Sequence, residues 1–228
     1  MTLLIATPIR GDILAAQVTS GYAEHRALLC QRMPVELLDP ALLFSCDIVR
    51  ARNRVVSLVL GSRPDVDRVL FWDDDNWPRD VGVVQRMIDT GEDFIGCAYT
   101  NKRPPLRWIH QELDSHPGYD PRRLLEVKRV GMGFTMLSRP CLERMTAAAD
   151  SYVDYRGAER VPTANLFGQL LGKMPDGHTT LLSEDFSFSD RWRALGGRIW
   201  LYGGEGNIIE HAGSHAWDAT QMAGTVVR

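Results

Sequence analysis

The sequence lacks three features that would place it in a special class of protein. Its 228 residues include four cysteines, at positions 30, 46, 97 and 141, and no CxxC pair. A disulfide framework or a zinc ribbon is therefore not expected, and reduced thiols are the default. No apolar run approaches the roughly 20 residues of a membrane span. The opening MTLLIATPIRG has neither the basic region nor the cleavage site of a signal peptide, so we expect a soluble, cytoplasmic protein.

The sequence also lacks a strong excess of either charge. Lys and Arg number 26, Asp and Glu number 29, and the formal net charge is −3. A protein that coats nucleic acid through bulk charge is excluded, although a local basic patch is compatible with this balance. The length and the 44% hydrophobic fraction predict one domain with a proper core.

Short apolar runs alternate with helical patterns along the first 100 residues. Strands are predicted at 3–7, 35–38, 69–72 and 94–99, and helices at 12–29, 47–60 and 81–88. This alternation predicts an α/β protein with a mostly parallel, doubly wound sheet.

The second half of the sequence is less regular. Strands are predicted at 130–137, 198–202 and 207–210, helices at 139–149 and 183–195, and loops at 101–128 and 151–180. The glycines in the strand 130–137 would permit close backbone approach.

Three adjacent aspartates, Asp73, Asp74 and Asp75, follow the predicted strand 69–72. Ligands of such sheets bind beyond the carboxyl ends of the strands, so this position favours a site over a solvated acidic turn, which is the alternative. If the extended geometry continues, Asp73 and Asp75 point to the same side and Asp74 to the other. Two hard oxygen donors suit Mg²⁺ or Mn²⁺, which take one or two carboxylates together with substrate phosphates.

Further chemistry-bearing side chains lie in three other segments. Glu184 and Asp185 open a predicted helix, where a carboxylate acts either as a general base or only as a complement to the helix dipole. His211 follows an apolar strand and is either a metal ligand or a packed histidine. Arg52 lies on the helix 47–60, and its planar guanidinium either binds phosphate or faces solvent. The residues alone leave these alternatives open.

Seven segments, taken in order, resemble the GT-A glycosyltransferases, in particular family-2-like members and their short phage-encoded versions. The segments are ATPIRG, ARNRVV, VLFWDDDNWP, FIGCAYTNKRP, VGMGFTMLSRPCLERM, SEDFSFSDRWRALGGRIWL and EHAGSHAW. A lone DxD motif is a weak signal, but this order extends over most of the chain. The resemblance implies one GT-A domain over residues 1–228, with a nucleotide-binding half at 1–100 and an acceptor-binding half at 101–228.

The resemblance also implies a metal site and a catalytic base. Asp75 would ligate Mn²⁺ or Mg²⁺, His211 would complete the metal site, and Asp73 would contact the metal or the ribose. Asp185 would remove the proton from an acceptor hydroxyl in an inverting displacement, with Glu184 as the other candidate. The metal would stabilise the departing nucleoside diphosphate.

The donor implied by the resemblance is a nucleotide sugar, most commonly linked to UDP. The residues expected to bind it are Thr7, Pro8, Arg10, Arg52, Asp73, Asp74, Gly131, Gly133 and Phe134. The first three would border the nucleobase, and the segment 131–134 would line the sugar pocket.

Two rival functions and two acceptors stay open. A nucleotidyltransferase usually carries a Gly-rich, basic loop near its start, where this sequence has ATPIRGDI; a non-catalytic nucleotide-sugar-binding module is the second rival. The acceptor is either a cell-surface glycan or lipid-linked intermediate, or a hydroxymethylated base in phage DNA, which would place the protein in a host cytoplasm. DNA predicts a basic groove, for which the candidates are Lys102, Arg103, Arg107, Arg122, Arg123, Lys128 and Arg129.

Overall fold

A computed structural model of the protein describes residues 1–8, 27–31, 35–37, 47–115, 117–173, 176–212 and 216–217. Arg10 and most of the helix predicted at 12–29 lie outside these ranges, and residues 27–31 are helical. Four longer helices are described, namely α1 (Ile48–Ser62), α2 (Val83–Asp89), α3 (Arg139–Ala148) and α4 (Glu184–Ala194).

The strands are short and fall on both halves of the chain. In chain order they are β1 (Thr2–Ala6), β2 (Val35–Leu37), β3 (Val66–Trp72), β4 (Asn76–Pro78), β5 (Phe94–Gly96), β6 (His110–Glu112), β7 (Leu124–Val130), β8 (Phe134–Ser138), β9 (Ser151–Arg156), β10 (Glu159–Ala164), β11 (Leu171–Lys173), β12 (Thr179–Leu181), β13 (Ile199–Tyr202), β14 (Ile209–Ala212) and β15 (Ala216–Trp217).

Eight of these strands form the central sheet, in the order β2-β1-β3-β8-β5-β13-β7-β6. β1 pairs in parallel with β2 and β3, and β13 pairs in parallel with β5. β8 lies antiparallel between β3 and β5, and β7 lies antiparallel between β13 and β6. The predicted α/β class with a mostly parallel sheet is confirmed, and the two reversed strands make the sheet mixed.

Hydrophobic clusters cover both faces of the sheet. Successive residues of a strand point to opposite sides, so β3 contributes side chains to both clusters. Phe71 of β3 packs into a cluster with Val55 and Val59 of α1, whereas Leu70 and Trp72 pack into a second cluster on the other face. All five side chains are fully buried, and each contributes about 2 kcal/mol of burial. With both faces occupied, the strand ends are where polar side chains can gather.

Helix α1 begins at a cap that the sequence encodes. The carboxylate of Asp47 accepts hydrogen bonds from Val49 N at 3.0 Å and Arg50 N at 3.4 Å, which satisfies donors left open at a helix start. The buried face of the helix includes two polar residues, Arg52 and Asn53. Asn53 Oδ1 accepts the backbone N–H groups of residues 166 and 167, so α1 holds the segment that precedes α4.

Three predictions for the second half are wrong. The predicted loop at 101–128 contains β6 and the start of β7, and the predicted strand at 130–137 is two strands separated by residues 131–133. The predicted loop at 151–180 forms two hairpins, β9–β10 and β11–β12. Their strands expose side chains on most positions, so the apolar alternation that reveals a half-buried strand is missing.

The cysteines of the described residues are free thiols. Cys97 and Cys141 are buried and Cys30 is exposed, whereas Cys46 lies outside the described ranges. Within those ranges, no helix has the length and apolar character needed to cross a bilayer.

Candidate functional site

The three aspartates lie in a tight turn between β3 and β4. Asn76 N donates to the carbonyl of Asp73 at 3.2 Å, and Asp73 N donates to the carbonyl of Gly133 at 2.9 Å. The prediction that the extended geometry continues through the aspartates is wrong, because the chain turns at Asp74 and Asp75 and then enters β4, which pairs with β14. As a result, Asp73 and Asp75 have different partners.

Asp73 is joined to the start of α4 through a buried arginine. Arg52 Nη2 donates to both carboxylate oxygens of Asp73, at 3.0 and 3.1 Å, and Nη1 donates to Glu184 Oε1 at 2.8 Å. The side chain of Arg52 is 2% exposed, against 26% for Asp73 and 19% for Glu184. Arg52 therefore links two segments that are 132 residues apart, and it is not on a solvated helix face.

Asp75 is paired with His211 and Lys102. Asp75 Oδ1 lies 3.6 Å from His211 Nε2, and the Lys102 ammonium contacts Asp75 Oδ2. His211 Nδ1 lies 2.6 Å from the carbonyl of Thr100. Because a carbonyl only accepts, Nδ1 carries a proton, and Nε2 is the ring nitrogen that faces Asp75.

Tyr99 is a buried side chain that contacts both the segment 131–133 and His211. Its hydroxyl accepts a hydrogen bond from Gly133 N at 2.8 Å, and its ring packs edge-on against His211 at 5.1 Å. A Cβ at position 131 or 133 would lie 2.5 or 2.6 Å from the Tyr99 hydroxyl. Gly131 and Gly133 are therefore required by the packing of Tyr99, which is a reason for glycine that needs no bound sugar.

The site has an excess of negative charge. Five carboxylates (Asp73, Asp74, Asp75, Glu184 and Asp185) lie with two permanent cations, Arg52 and Lys102. Burial, followed by the charges of Asp75 and Asp73, raises the pKa of Asp74 to about 6. Burial and the neighbouring Glu184 also raise the pKa of Asp185. Both shifts arise first from burial and second from neighbouring negative charge.

Asp75 behaves differently from its neighbours. Its burial would raise the pKa of the carboxyl, but the contacts with His211 and Lys102 outweigh burial and hold the pKa below its usual value. Asp75 is therefore ionised at neutral pH and able to act as a ligand for a cation.

The donor set suits a divalent cation that also binds substrate oxygens. Asp75 and the Nε2 atom of His211 are an oxygen and a nitrogen ligand side by side, a pair compatible with Mn²⁺. Within the described ranges, no group of three or more His, Cys, Asp or Glu side chains is arranged to hold a metal ion. Two buried atoms of the site, Arg52 Nε and Asn76 Oδ1, have no hydrogen-bond partner, which is rare in folded proteins and is met at sites that bind ligands.

The other residues predicted to bind the nucleotide sugar lie in two different environments. Thr7 and Pro8 are buried just after β1, in register beside β3, where Ala6 pairs with Phe71. The side chain of Phe134 is fully buried and packs edge-on against Trp72 at 5.1 Å, so it belongs to the core. The assigned roles of these residues stay predictions.

The candidate basic groove loses two of its members. Arg129 is 3% exposed, and its guanidinium is bidentate to Asp190, with both contacts at 2.7 Å. Arg122 is neutralised by Glu92 and Asp120, at 2.7 and 2.9 Å. Neither arginine presents a free charge to a phosphate backbone.

Sequence reasoning missed Tyr99 and Thr100 and did not pair Lys102 with Asp75. The three residues follow β5 directly, and β5 lies beside β8, whose first residue pairs with the end of β3. The position after a sheet strand was the available signal, since such ends gather at one edge. Neighbouring strands cannot be identified from one sequence, so the contact itself was not predictable.

The central sheet with its flanking helices is a mixed α/β fold. The chain is similar to the solved structure of A197 from STIV, with 18% sequence identity, a TM-score of 0.51 and coverage of 93% of this chain and 86% of that chain. A weaker likeness is to a glycosyltransferase involved in the glycosylation of the major capsid of PBCV-1, with 10% identity, a TM-score of 0.33 and coverage of 63% and 62%. No family model and no curated protein matches the sequence. These likenesses are to the fold alone.

Proposed function

We propose that this protein is a metal-dependent glycosyltransferase that moves a sugar from a nucleotide-sugar donor to an acceptor hydroxyl. The observation that carries the proposal is the pairing of Asp75 with His211 Nε2 at 3.6 Å, directly after β3. Together with Asp73, Asp74 and Glu184, this pair forms an anionic site at the carboxyl end of a strand, where α/β sheets bind ligands.

A divalent cation bound there would supply a Lewis acid for a departing nucleoside diphosphate. Asp75 and His211 would hold the cation, and the phosphates would provide further oxygen ligands, as is usual for Mg²⁺ and Mn²⁺. Arg52, held between Asp73 and Glu184, would fix the turn after β3. The UDP carrier is proposed on the resemblance of the sequence only.

Asp185 is the better of the two candidates for the catalytic base. Glu184 Oε1 is engaged by Arg52 at 2.8 Å, so one of its two oxygens already has a partner within the protein. The pKa of Asp185 is raised by burial and by Glu184, which makes its carboxylate more basic. We therefore assign proton removal from the acceptor to Asp185, in an inverting displacement.

The acceptor stays between a cell-surface glycan and a hydroxymethylated base in DNA. The pairing of Arg129 and Arg122 with carboxylates takes two of the seven candidate residues from the basic groove that DNA would need. Turnover with a panel of soluble oligosaccharides and with hydroxymethylated duplex DNA separates the two acceptors.

The test of the proposed function is diphosphate release from a panel of nucleotide sugars, with Mn²⁺ or with a chelator. We expect release that depends on the metal, and an Asp75→Asn variant that loses at least about tenfold in Mn²⁺ affinity together with most turnover. Glu143→Gln is the matched control, because Glu143 is 55% exposed on α3. Unchanged cation affinity and turnover in Asp75→Asn would refute the metal site. Pyrophosphate release in place of nucleoside diphosphate would indicate a nucleotidyltransferase, and metal-dependent binding without turnover would indicate a binding module.

A further inference from the structure

The loop that follows β5 places a cation on Asp75. The Lys102 ammonium contacts Asp75 Oδ2, while His211 Nε2 faces Oδ1 of the same carboxylate. Both oxygens of the proposed metal ligand therefore already have a positive or polar partner supplied by the chain. Any cation that binds Asp75 competes with Lys102 for the same carboxylate.

The backbone around Lys102 is well fixed, whereas its side chain is not. Asn101 closes the loop, because its side chain donates to the carbonyls of Arg103 and Pro105 and accepts from Arg107 N. The side chain of Lys102 is 45% exposed on a flexible four-carbon stem. The ammonium can therefore leave Asp75 without any movement of the loop.

The same segment orients the other proposed ligand. The carbonyl of Thr100, two residues before Lys102, accepts the hydrogen bond of His211 Nδ1 at 2.6 Å. The segment 100–102 therefore presents His211 for metal binding and at the same time neutralises Asp75. A counter-ion from the chain on one ligand and a fixed orientation of the other are expected of a site whose charge is balanced internally until a ligand binds.

We infer that Lys102 is an exchangeable counter-ion of the donor site. Lys102 holds Asp75 when no metal is bound, gives it up when a divalent cation binds, and then pairs with the diphosphate of the donor. The exchange keeps the ammonium next to an anion at each stage, because the diphosphate would be bound by the same cation that displaces Lys102. This inference rests on the proposed function, since it takes Asp75 as a metal ligand.

The exchange predicts effects of opposite sign on two ligands. In Lys102→Met, Mn²⁺ alone should bind about fivefold more tightly, since a half-exposed ion pair that must be broken contributes up to about that factor. In the presence of saturating Mn²⁺, UDP should bind about fivefold more weakly, because its diphosphate loses a cationic partner. A purely structural role of Lys102 would weaken both ligands together.

The experiment measures Mn²⁺ affinity by electron paramagnetic resonance of the free ion, and UDP affinity by calorimetry, for four full-length proteins. Wild type and Asp75→Asn first establish whether Mn²⁺ binds at Asp75; if it does not, the metal site of the proposed function fails. Arg103→Met is the matched control for Lys102→Met, since it removes the same charge from the exposed neighbouring position, and it should change Mn²⁺ affinity by less than about twofold.

Two results would overturn the exchange while leaving the metal site intact. The first is Mn²⁺ affinity in Lys102→Met equal to that in Arg103→Met, and the second is undiminished binding of UDP to the Mn²⁺-loaded Lys102→Met protein. Metal-independent turnover in wild type that Lys102→Met abolishes would overturn both the exchange and the metal dependence of the proposed function, because Lys102 would then replace the metal rather than yield to it.

Discussion

Replacement of Arg52 by methionine tests whether the buried ion pairs hold the site together. Arg52 makes three hydrogen bonds of 2.8 to 3.1 Å with Asp73 and Glu184. Methionine keeps much of the apolar stem but removes the guanidinium, whose Cζ lies 5.9 Å from the centroid of the Phe167 ring, and it leaves both carboxylates without their cation. The variant therefore isolates the contribution of the guanidinium.

The expected loss of stability is about 3 kcal/mol. Breaking a buried ion pair by removing one partner costs about 3–5 kcal/mol, because the other charge is left buried. Asp73 and Glu184 are 26% and 19% exposed, so water can partly rehydrate them, and we take the low end of that range. Arg50→Met on the same helix should cost less than about 1 kcal/mol, because Arg50 is 51% exposed and 3.7 Å from its carboxylate.

The assay is urea unfolding followed by circular dichroism, with the free energy extrapolated to water. Two double-mutant cycles, Arg52→Met with Asp73→Asn and Arg52→Met with Glu184→Gln, should each give a coupling of about 1 kcal/mol or more. A loss below about 1 kcal/mol in Arg52→Met, or couplings close to zero, would show that solvent screens these pairs and that the reasoning from burial is wrong.

Two further predictions concern packing and pH. In Gly133→Ala, a Cβ would lie 2.6 Å from the Tyr99 hydroxyl, and we expect a loss of about 2 kcal/mol in urea unfolding; Gly61→Ala, where a Cβ meets nothing within 4 Å, should instead stabilise α1 by about 0.5–1 kcal/mol. Hydrogen bonds with Arg54 hold the pKa of Asp154 below its usual value, although burial acts in the opposite direction. The Asp154 carboxylate therefore stabilises the fold above the unfolded pKa of about 3.9. This stabilisation is lost as the pH falls through the pKa of the folded state. The stability difference between wild type and Asp154→Asn, measured as a function of pH, should therefore be about 2 kcal/mol at pH 7 and shrink below about pH 4; a difference independent of pH would contradict this assignment.

The sequence predicts the elements whose signals are local. The apolar runs of β1 and β3 and the helix predicted at 47–60 are confirmed, because burial on both faces and the apolar face of a helix depend on nearby residues. The hairpins β9–β10 and β11–β12 were not predictable, since most of their side chains are exposed and carry no periodic apolar signal. The local sequence pattern therefore predicts the buried strands of the central sheet but not the exposed hairpins.

The candidate site shows the same division between local and distant information. The sequence located Asp73, Asp75 and His211 as chemistry-bearing residues, but their partners depend on strand order. Arg52 meets Glu184 across 132 residues, and His211 meets the Thr100 carbonyl across 111 residues. The tertiary fold sets the distances between such segments, and these distances cannot be predicted from the composition and residue spacing of one sequence.

The charge balance of the site explains why metal and donor would have to bind together. Among the described residues of the site, both cations are already engaged, Arg52 with Asp73 and Glu184, and Lys102 with Asp75. Burial, together with the charges of Asp75 and Asp73, raises the pKa of Asp74 to about 6. A divalent cation would relieve this excess of negative charge, but it would also displace Lys102. A diphosphate that arrives with the cation accepts the displaced ammonium and adds oxygen ligands to the metal, so the two ligands favour each other's binding. A diphosphate alone would meet the carboxylates without a screening cation and be repelled, so the proposed function would depend on the metal.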